Sequence, residues 1–252
     1  IQNVSIGYQS LSGNTTGTTN TAIGYRSLYA NTTASHNTAM GYHALVNNTT
    51  GDLNTAVGYG ALASNLVGDR AVAVGVGSLG SQAPTSGDTY NVAVGYSAGN
   101  QITTGTQNTL IGGLTGDAIT TASNNTAVGF NTLSATTTGE NNVALGQYAL
   151  NANTTAANNT AIGHFSLSAN TTGTYNTSVG SLALQSTTTG ISNTAVGGQA
   201  LQGNTTGDYN VAMGVNALDK NTTADANTGI GAGALATNTT GASNTAVGRD
   251  AL

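Results

Sequence analysis

Asn193–Tyr209 reads NTAVGGQALQGNTTGDY, and the rest of the chain consists of variants of these 17 residues. We number the places of the repeat from one, at Asn193, to seventeen, at Tyr209. The glycine at place five recurs every 17 residues, apart from one interval of 20. A strict period of this kind is typical of a solenoid, in which each repeat stacks on the one before it. The place-five glycines are Gly7, Gly24, Gly41, Gly58, Gly75, Gly95, Gly112, Gly129, Gly146, Gly163, Gly180, Gly197, Gly214, Gly231 and Gly248.

The residue types within one repeat indicate β-structure. Places one to five carry Asn, a β-branched residue, a small residue, an apolar residue and Gly. The exceptions are Ala71 at place one and the large residue Leu110 at place three. This alternation predicts a short strand, and the glycine predicts a turn at its end. The Asn-Thr-Thr-Gly stretch at places twelve to fifteen favours a second short strand and a second corner.

Leucine fills place nine in all copies except two, which carry glycine there. Those two copies have Gly99 and Gly116 at place nine, and they have Ile102 and Ile119 at place twelve. One apolar side chain is expected to replace the other in a packed layer. Places nine and twelve are therefore expected to face one interior.

The sequence thus predicts an all-β fold, a parallel β-solenoid of 17-residue coils. Residues 1–252 are expected to form a single array of about fifteen coils counted from Asn3, with one 20-residue coil at 71–90. That coil contains the only proline, Pro84, and its extra residues are expected to form a surface loop. Stacking at ~4.8 Å would align like residues in ladders, including asparagine ladders joined through their amides. The start at Ile1 and the stop within a repeat lead us to expect a fragment of a longer fibre.

Composition argues against several classes of function. The net charge is −5 and the four basic residues are scattered, so nucleic-acid binding is not expected. No apolar run is long enough for membrane insertion. The three histidines share no spacing that suits a metal or acid–base chemistry, and the solitary acids at place sixteen do not suit a calcium ladder. Neither an enzyme nor a cofactor is expected.

Because residues alternate between the two faces of a strand, places two and four lie on the face opposite the small residue of place three. Place four is therefore expected to form an outward apolar stripe. Burying each such side chain is worth ~1.5–3 kcal/mol, and an exposed stripe of this kind marks an interface. Three-fold self-association would bury the stripe. A monomer in which places four and nine both face inward is the alternative. The proposed seam comprises Ile6, Ile23, Val57, Val94, Val128, Ile162, Val196 and Ile230.

Further surface features suggest other partners. An aromatic strip at place six could stack on a cell-surface glycan or receptor, or it could simply cover a corner; it comprises Tyr8, Tyr25, Tyr42, Tyr59 and Tyr96. The threonine pairs suggest ice binding, although neighbouring threonines would form only single files. Asn-Thr-Thr is a glycosylation sequon, as at Asn14 and Asn204, or else a corner motif. Unpaired strand edges at the ends would permit an end-to-end filament.

The strand motif resembles that of a known class of fibre protein. Asn193–Gly197 (NTAVG), Asn91–Gly95 (NVAVG) and Asn210–Gly214 (NVAMG) resemble the repeat core of trimeric autotransporter adhesin heads. The fuller pattern NTAVGYxALxxNTTG resembles repeats of phage and bacterial tail fibres. This resemblance implies a left-handed roll assembled as a homotrimer, exposed on a bacterial surface or phage virion. The 17-residue period is longer than is common in those heads, and no ligand-binding residue carries over.

These observations lead us to expect a non-enzymatic extracellular segment, structural or adhesive, that forms a rigid shaft. A glycan-binding module, an ice-binding solenoid and the protomer of a filament are the alternatives.

Overall fold

The computed structural model describes residues 2–252, and no helix occurs within that range. The chain is an all-β parallel β-solenoid of about 14 turns with about 17 residues per turn, as the period predicts. It divides into two units, the first ending at Asn125 and the second running from Thr126 to Leu252. None of the described residues belongs to a helix that could cross a membrane.

Each coil contributes one strand of three residues, at places two to four. The strands of the first unit are β1 (Val4–Ile6), β2 (Thr21–Ile23), β3 (Thr38–Met40), β4 (Thr55–Val57), β5 (Val72–Val74), β6 (Val92–Val94) and β7 (Thr109–Ile111). Those of the second unit are β8 (Thr126–Val128), β9 (Val143–Leu145), β10 (Thr160–Ile162), β11 (Thr177–Val179), β12 (Thr194–Val196), β13 (Val211–Met213), β14 (Thr228–Ile230) and β15 (Thr245–Val247).

Neighbouring strands within each unit pair in parallel, and the repeat sets their register. Thr21 of β2 lies opposite Thr38 of β3, one period later. Val72 of β5 lies opposite Val92 of β6, so the long coil keeps the register of the strands. Its extra residues leave the stack as a loop, as predicted, with residues 85–88 exposed.

Two residues that precede this loop are buried in the coil. Gln82 occupies place twelve, where its side-chain carbonyl accepts a hydrogen bond from Asn91 Nδ2 at 2.9 Å. Pro84 is buried against Gly68. The loop is therefore confined to residues 85–88, because Gln82 and Pro84 still pack within the coil.

The second strand expected at the paired threonines is also wrong, because these residues form a bend. The backbone amides of Thr205 and Thr206 both donate to the carbonyl of Thr222 in the next coil, at 2.8 and 3.3 Å. The Thr205 hydroxyl donates to the same carbonyl at 3.0 Å. In a parallel ladder the bonds are evenly spaced along the strand, whereas here three donors share one acceptor. The coils are thus joined at this corner without a strand.

The apolar part of the interior consists of small and branched side chains. Ala195 at place three and Leu201 at place nine are fully buried, and Ile102 and Ile119 at place twelve are fully buried too. The prediction that places nine and twelve share one interior is confirmed. Place four faces outward, as Val196 is partly exposed and Ile6 is 60% exposed. The alternative with places four and nine both inward is wrong, since a strand of alternating residues turns only place three inward.

The place-five glycines line up and allow the coils to approach closely. Gly197 has a φ of +136°, and a Cβ there would lie 2.6 Å from the carbonyl of Gly214 in the next coil. The turn predicted at this glycine is confirmed. Three other places adopt left-handed backbone without needing glycine, as at Gln199 (+60°), Leu201 (+51°) and Tyr209 (+58°). No feature of the sequence pointed to these three turns.

Asparagine ladders connect the coils, as predicted. At place one the amide of Asn210 donates to Asn193 Oδ1 at 3.0 Å, and Asn193 Nδ2 donates to the Gly207 carbonyl at 2.8 Å. At place twelve Asn221 Nδ2 donates to Asn204 Oδ1 at 3.1 Å. All four asparagines are fully buried, so each ladder satisfies polar groups that water cannot reach.

Candidate functional site

The first candidate surface is the outer face of the strands. Most of its place-four side chains are half-buried, and others are exposed, such as Val128 at 37%, Ile6 at 60% and Val247 at 68%. Place two beside it is always threonine or valine, so the face carries no charge. The seam residues Ile23, Val57, Val94, Ile162 and Val196 lie half-buried on this face, and Ile6, Val128 and Ile230 are exposed on it. Each unit thus presents an uncharged, largely apolar stripe.

The second candidate surface is the aromatic strip, which the structure divides in two. Tyr8, Tyr25, Tyr42 and Tyr59 stack on one another, with the central pair 4.9 Å apart and inclined by 10°. Stacking covers both faces of the two central rings, so the stack offers mainly edges and hydroxyls to solvent. A sugar needs an open ring face, so these four tyrosines fit the role of a packing ladder over a corner better. Tyr96 is not part of this stack, because Val76 and Gly113 occupy place six on either side of it.

Place seven carries two basic side chains beside this stack. His43 stacks on Tyr42 at 4.1 Å, and the guanidinium of Arg26 lies 4.0 Å from the ring centroid of Tyr29. Burial, followed by repulsion from Arg26, lowers the pKa of His43 from its ordinary 6.5. His43 Nε2 is buried without a hydrogen-bond partner. We therefore expect a neutral imidazole at pH 7, which adds to the aromatic packing.

The third candidate is a cavity of about 230 Å³ in the first unit. Its lining comes from places six, seven, ten and eleven of two successive coils and is both polar and apolar. Asp117 Oδ1 is buried without a hydrogen-bond partner, and burial raises the pKa of this carboxyl above its ordinary 3.8. The lining residues are Tyr96, Ser97, Asn100, Gln101, Leu114, Asp117 and Ala118.

The core beneath this cavity is repacked. A Cβ at Gly99 would lie 2.8 Å from Leu110 Cδ1 and 3.0 Å from Ile102 Cδ1, and one at Gly116 would lie 3.0 Å from Leu110 Cδ2. Leu110 and the two isoleucines therefore fill the space of the two missing leucines. The sequence indicated the role of the isoleucines but not that of Leu110, nor the cavity above it. The available signal was the coincidence of leucine at place three with glycine at place nine in the same copy.

The threonine pairs form single files, as predicted. The place-thirteen hydroxyls donate to the next coil, as Thr205 does, while Thr206 at place fourteen is exposed. In the second unit the exposed file comprises Thr138, Thr155, Thr172, Thr189, Thr206, Thr223 and Thr240. A file one residue wide offers little of the flat array that ice binding needs.

The sequons fit a structural role better than a glycosylation site. Asn204 is fully buried, and its Nδ2, the atom that would carry a glycan, donates to the Gly207 carbonyl at 3.0 Å. The acids at place sixteen also serve the stack, as Asp225 Oδ1 accepts the amide of Asp208 at 2.8 Å. Among residues 2–252 no three His, Cys, Asp or Glu side chains gather in a way that could hold a metal ion.

Comparison of the chain with known protein families, curated proteins and solved structures gave no match.

Proposed function

We propose that the chain is a non-enzymatic extracellular segment of a fibre, structural and adhesive, whose strand faces associate as a homotrimer. The outward apolar stripe at place four carries this proposal. Val196 and its equivalents repeat at every coil, and their neighbours at place two are uncharged. These side chains lie on the outer face of the strands and are half-buried or exposed, because only place three turns inward.

The size of the stripe fits a specific interface. A three-residue strand is ~10 Å long and coils are ~4.8 Å apart, so each coil presents ~48 Å² of sheet. The seven strands of the first unit then present ~340 Å² and the eight strands of the second ~380 Å². The two areas together are close to the ~800 Å² that one partner contributes to a standard interface. Three copies related by a three-fold axis would direct their stripes toward that axis. Exposure on a bacterial surface or a virion, where a stiff protease-resistant spacer is useful, follows from this proposal and from the resemblance to fibre repeats.

Molecular mass in solution tests the association. The chain has a mass of 24.7 kDa, so light scattering should give three times that value at micromolar concentration. Ile162→Glu and Val196→Glu place charges in the stripe and should yield monomers, whereas Thr206→Glu, on the exposed threonine file, should leave the trimer intact. A wild-type mass of one chain would refute the trimer. A mass that grows without limit as concentration rises would favour the end-to-end filament instead.

The proposed adhesive role, attachment of the segment to a cell surface, is independent of the apolar stripe. The stacked tyrosines offer few open ring faces and the exposed threonines form one file, so neither surface supports glycan or ice binding strongly. Binding of the purified segment to intact bacterial or host cells, measured by flow cytometry, tests for lateral attachment. If no binding is detected, the segment serves as a spacer only.

A further inference from the structure

We propose that the cavity between Tyr96 and Asp117 binds one neutral sugar ring. The proposal concerns this cavity alone, so it does not depend on whether the chain forms a trimer. It rests on the local loss of repetition, on the lining chemistry and on the size of the cavity.

Loss of repetition leaves Tyr96 without an aromatic neighbour. The ring is 62% exposed, and place six of the following coil is Gly113, which has no side chain to cover it. Leu114 at place seven and Asp117 at place ten of that coil line the cavity together with Tyr96. An open aromatic face beside an aliphatic side chain can pack against the C–H face of a pyranose.

The polar lining residues suit the hydroxyls of a sugar. Asn100 Nδ2 donates to the Gly77 carbonyl at 2.7 Å, and Gln101 Nε2 donates to Asn100 Oδ1 at 3.2 Å. These bonds hold both amides in place before a ligand arrives, which lowers the entropic cost of binding. Asp117 has a buried carboxylate oxygen without a partner, and a sugar hydroxyl is a donor that could satisfy it.

Charge and volume narrow the class of ligand. The seven lining residues include one acid and no base, in a chain of net charge −5, so phosphates and acidic sugars are disfavoured. A single carboxylate does not make a divalent-cation site, which needs several oxygen ligands. The volume of about 230 Å³ is below the ~300–1,000 Å³ of sites for drug-sized ligands, which fits a single ring. A ligand of this size is expected to bind with a Kd of about 1–10 mM.

Saturation-transfer NMR with the methyl glycosides of glucose, galactose, mannose and N-acetylglucosamine tests the proposal. At least one of the four should receive saturation from the wild-type protein. Tyr96→Ala and Asp117→Asn should each weaken binding by at least about tenfold. The matched controls are Tyr59→Ala, a place-six tyrosine within the stack, and Asp219→Asn, a place-ten acid on a coil outside the cavity. Both controls should bind as the wild type does.

Methyl chemical shifts of the wild-type protein give a second test, which does not depend on whether the variants fold. The sugar that binds should shift the methyl resonances of Leu114, which lines the cavity, and leave those of Leu218, a core leucine of the second unit, unchanged. The proposal is overturned if none of the four glycosides binds at about ten times the expected Kd. It is also overturned if Leu114 is unaffected, or if Tyr96→Ala and Asp117→Asn bind as the wild type does.

Discussion

Replacing Gly197 by alanine should destabilise the solenoid strongly, whereas the same change at the next residue should not. Gly197 has a φ of +136°, and a Cβ would lie 2.6 Å from both the carbonyl carbon and oxygen of Gly214. Gly198 lies outside the left-handed region, and its nearest contact for a Cβ is 4.0 Å away. The two substitutions change the composition identically, so they separate the backbone requirement from any general effect of alanine.

The magnitude follows from two costs that act together at Gly197. Holding an alanine in a sparsely populated backbone region costs ~1–3 kcal/mol. Forcing a methyl group against the backbone of the next coil costs a further ~1–3 kcal/mol. We therefore expect a loss of about 2–6 kcal/mol in the free energy of unfolding for Gly197→Ala. Gly198→Ala should be neutral or stabilising by up to ~1 kcal/mol, because alanine restricts the unfolded chain.

Denaturant unfolding followed by far-UV circular dichroism measures both variants, with all proteins at one concentration because association would shift the transition. Repeat arrays lose cooperativity when one interface between neighbours weakens, so Gly197→Ala should also broaden or split the transition. Equal midpoints for Gly197→Ala and Gly198→Ala would show that the coils do not approach as closely as the place-five glycines require, and the reasoning would fail.

Three further outcomes follow from contacts within the coils. Asn193→Ala should lower the free energy of unfolding by ~1–3 kcal/mol, because it leaves the buried backbone amide of Asn210 without its acceptor. Denaturant titration measures this loss, and an unchanged midpoint would contradict the role of the asparagine ladder in stability. Ile102→Ala should lower the free energy of unfolding by ~2–5 kcal/mol, because Ile102 fills the space beside Gly99. Thermal unfolding measures the loss, and a decrease in Tm no larger than that of Thr206→Ala, an exposed control, would contradict this role of Ile102. The folded protein lowers the pKa of His43, so protonation of this imidazole should favour the unfolded state. Stability should therefore be fully present above about pH 6.5 and fall as the pH decreases below that value. His43→Gln should remove this fall, and an unchanged pH dependence in the variant would show that His43 is not its cause.

The period and the residue types were sufficient to predict most of the fold. A fixed 17-residue spacing sets the register, and glycine at place five marks the end of every strand. The three left-handed turns could not be predicted, because leucine, glutamine and tyrosine favour right-handed backbone. Bonds between coils impose these turns, as when Leu201 N donates to the Ala217 carbonyl at 2.9 Å and Gln199 N to the Ser181 carbonyl at 3.0 Å. The second strand predicted at the paired threonines is absent for a related reason. Their β propensity is overridden because their donors share one carbonyl of the next coil, as Thr205 and Thr206 share that of Thr222.

The site was less accessible to sequence analysis than the fold. The aromatic strip is visible in the sequence, but the stacking of Tyr25 on Tyr42, which covers ring faces, depends on coil spacing. The cavity lies between side chains of two successive coils, residues 96–101 in one and 114–118 in the next. Each of these residues is visible in the sequence by itself. Their arrangement around one cavity depends on how the two coils pack.

Strain within a single coil explains why the inward places vary less between copies than place six does. Three non-glycine turns at ~1–2 kcal/mol each would make an isolated coil unfavourable, and only the bonds to its neighbours offset that cost. Inward places are therefore constrained, and Leu201 and its equivalents hardly vary. Place six lies on the outer surface of the solenoid, where Tyr42, Phe130 and Val215 are 44%, 47% and 55% exposed. The residue at this place differs freely between copies. New surface chemistry can arise at this corner without loss of the fold, and the cavity beside Tyr96 lies at the same corner.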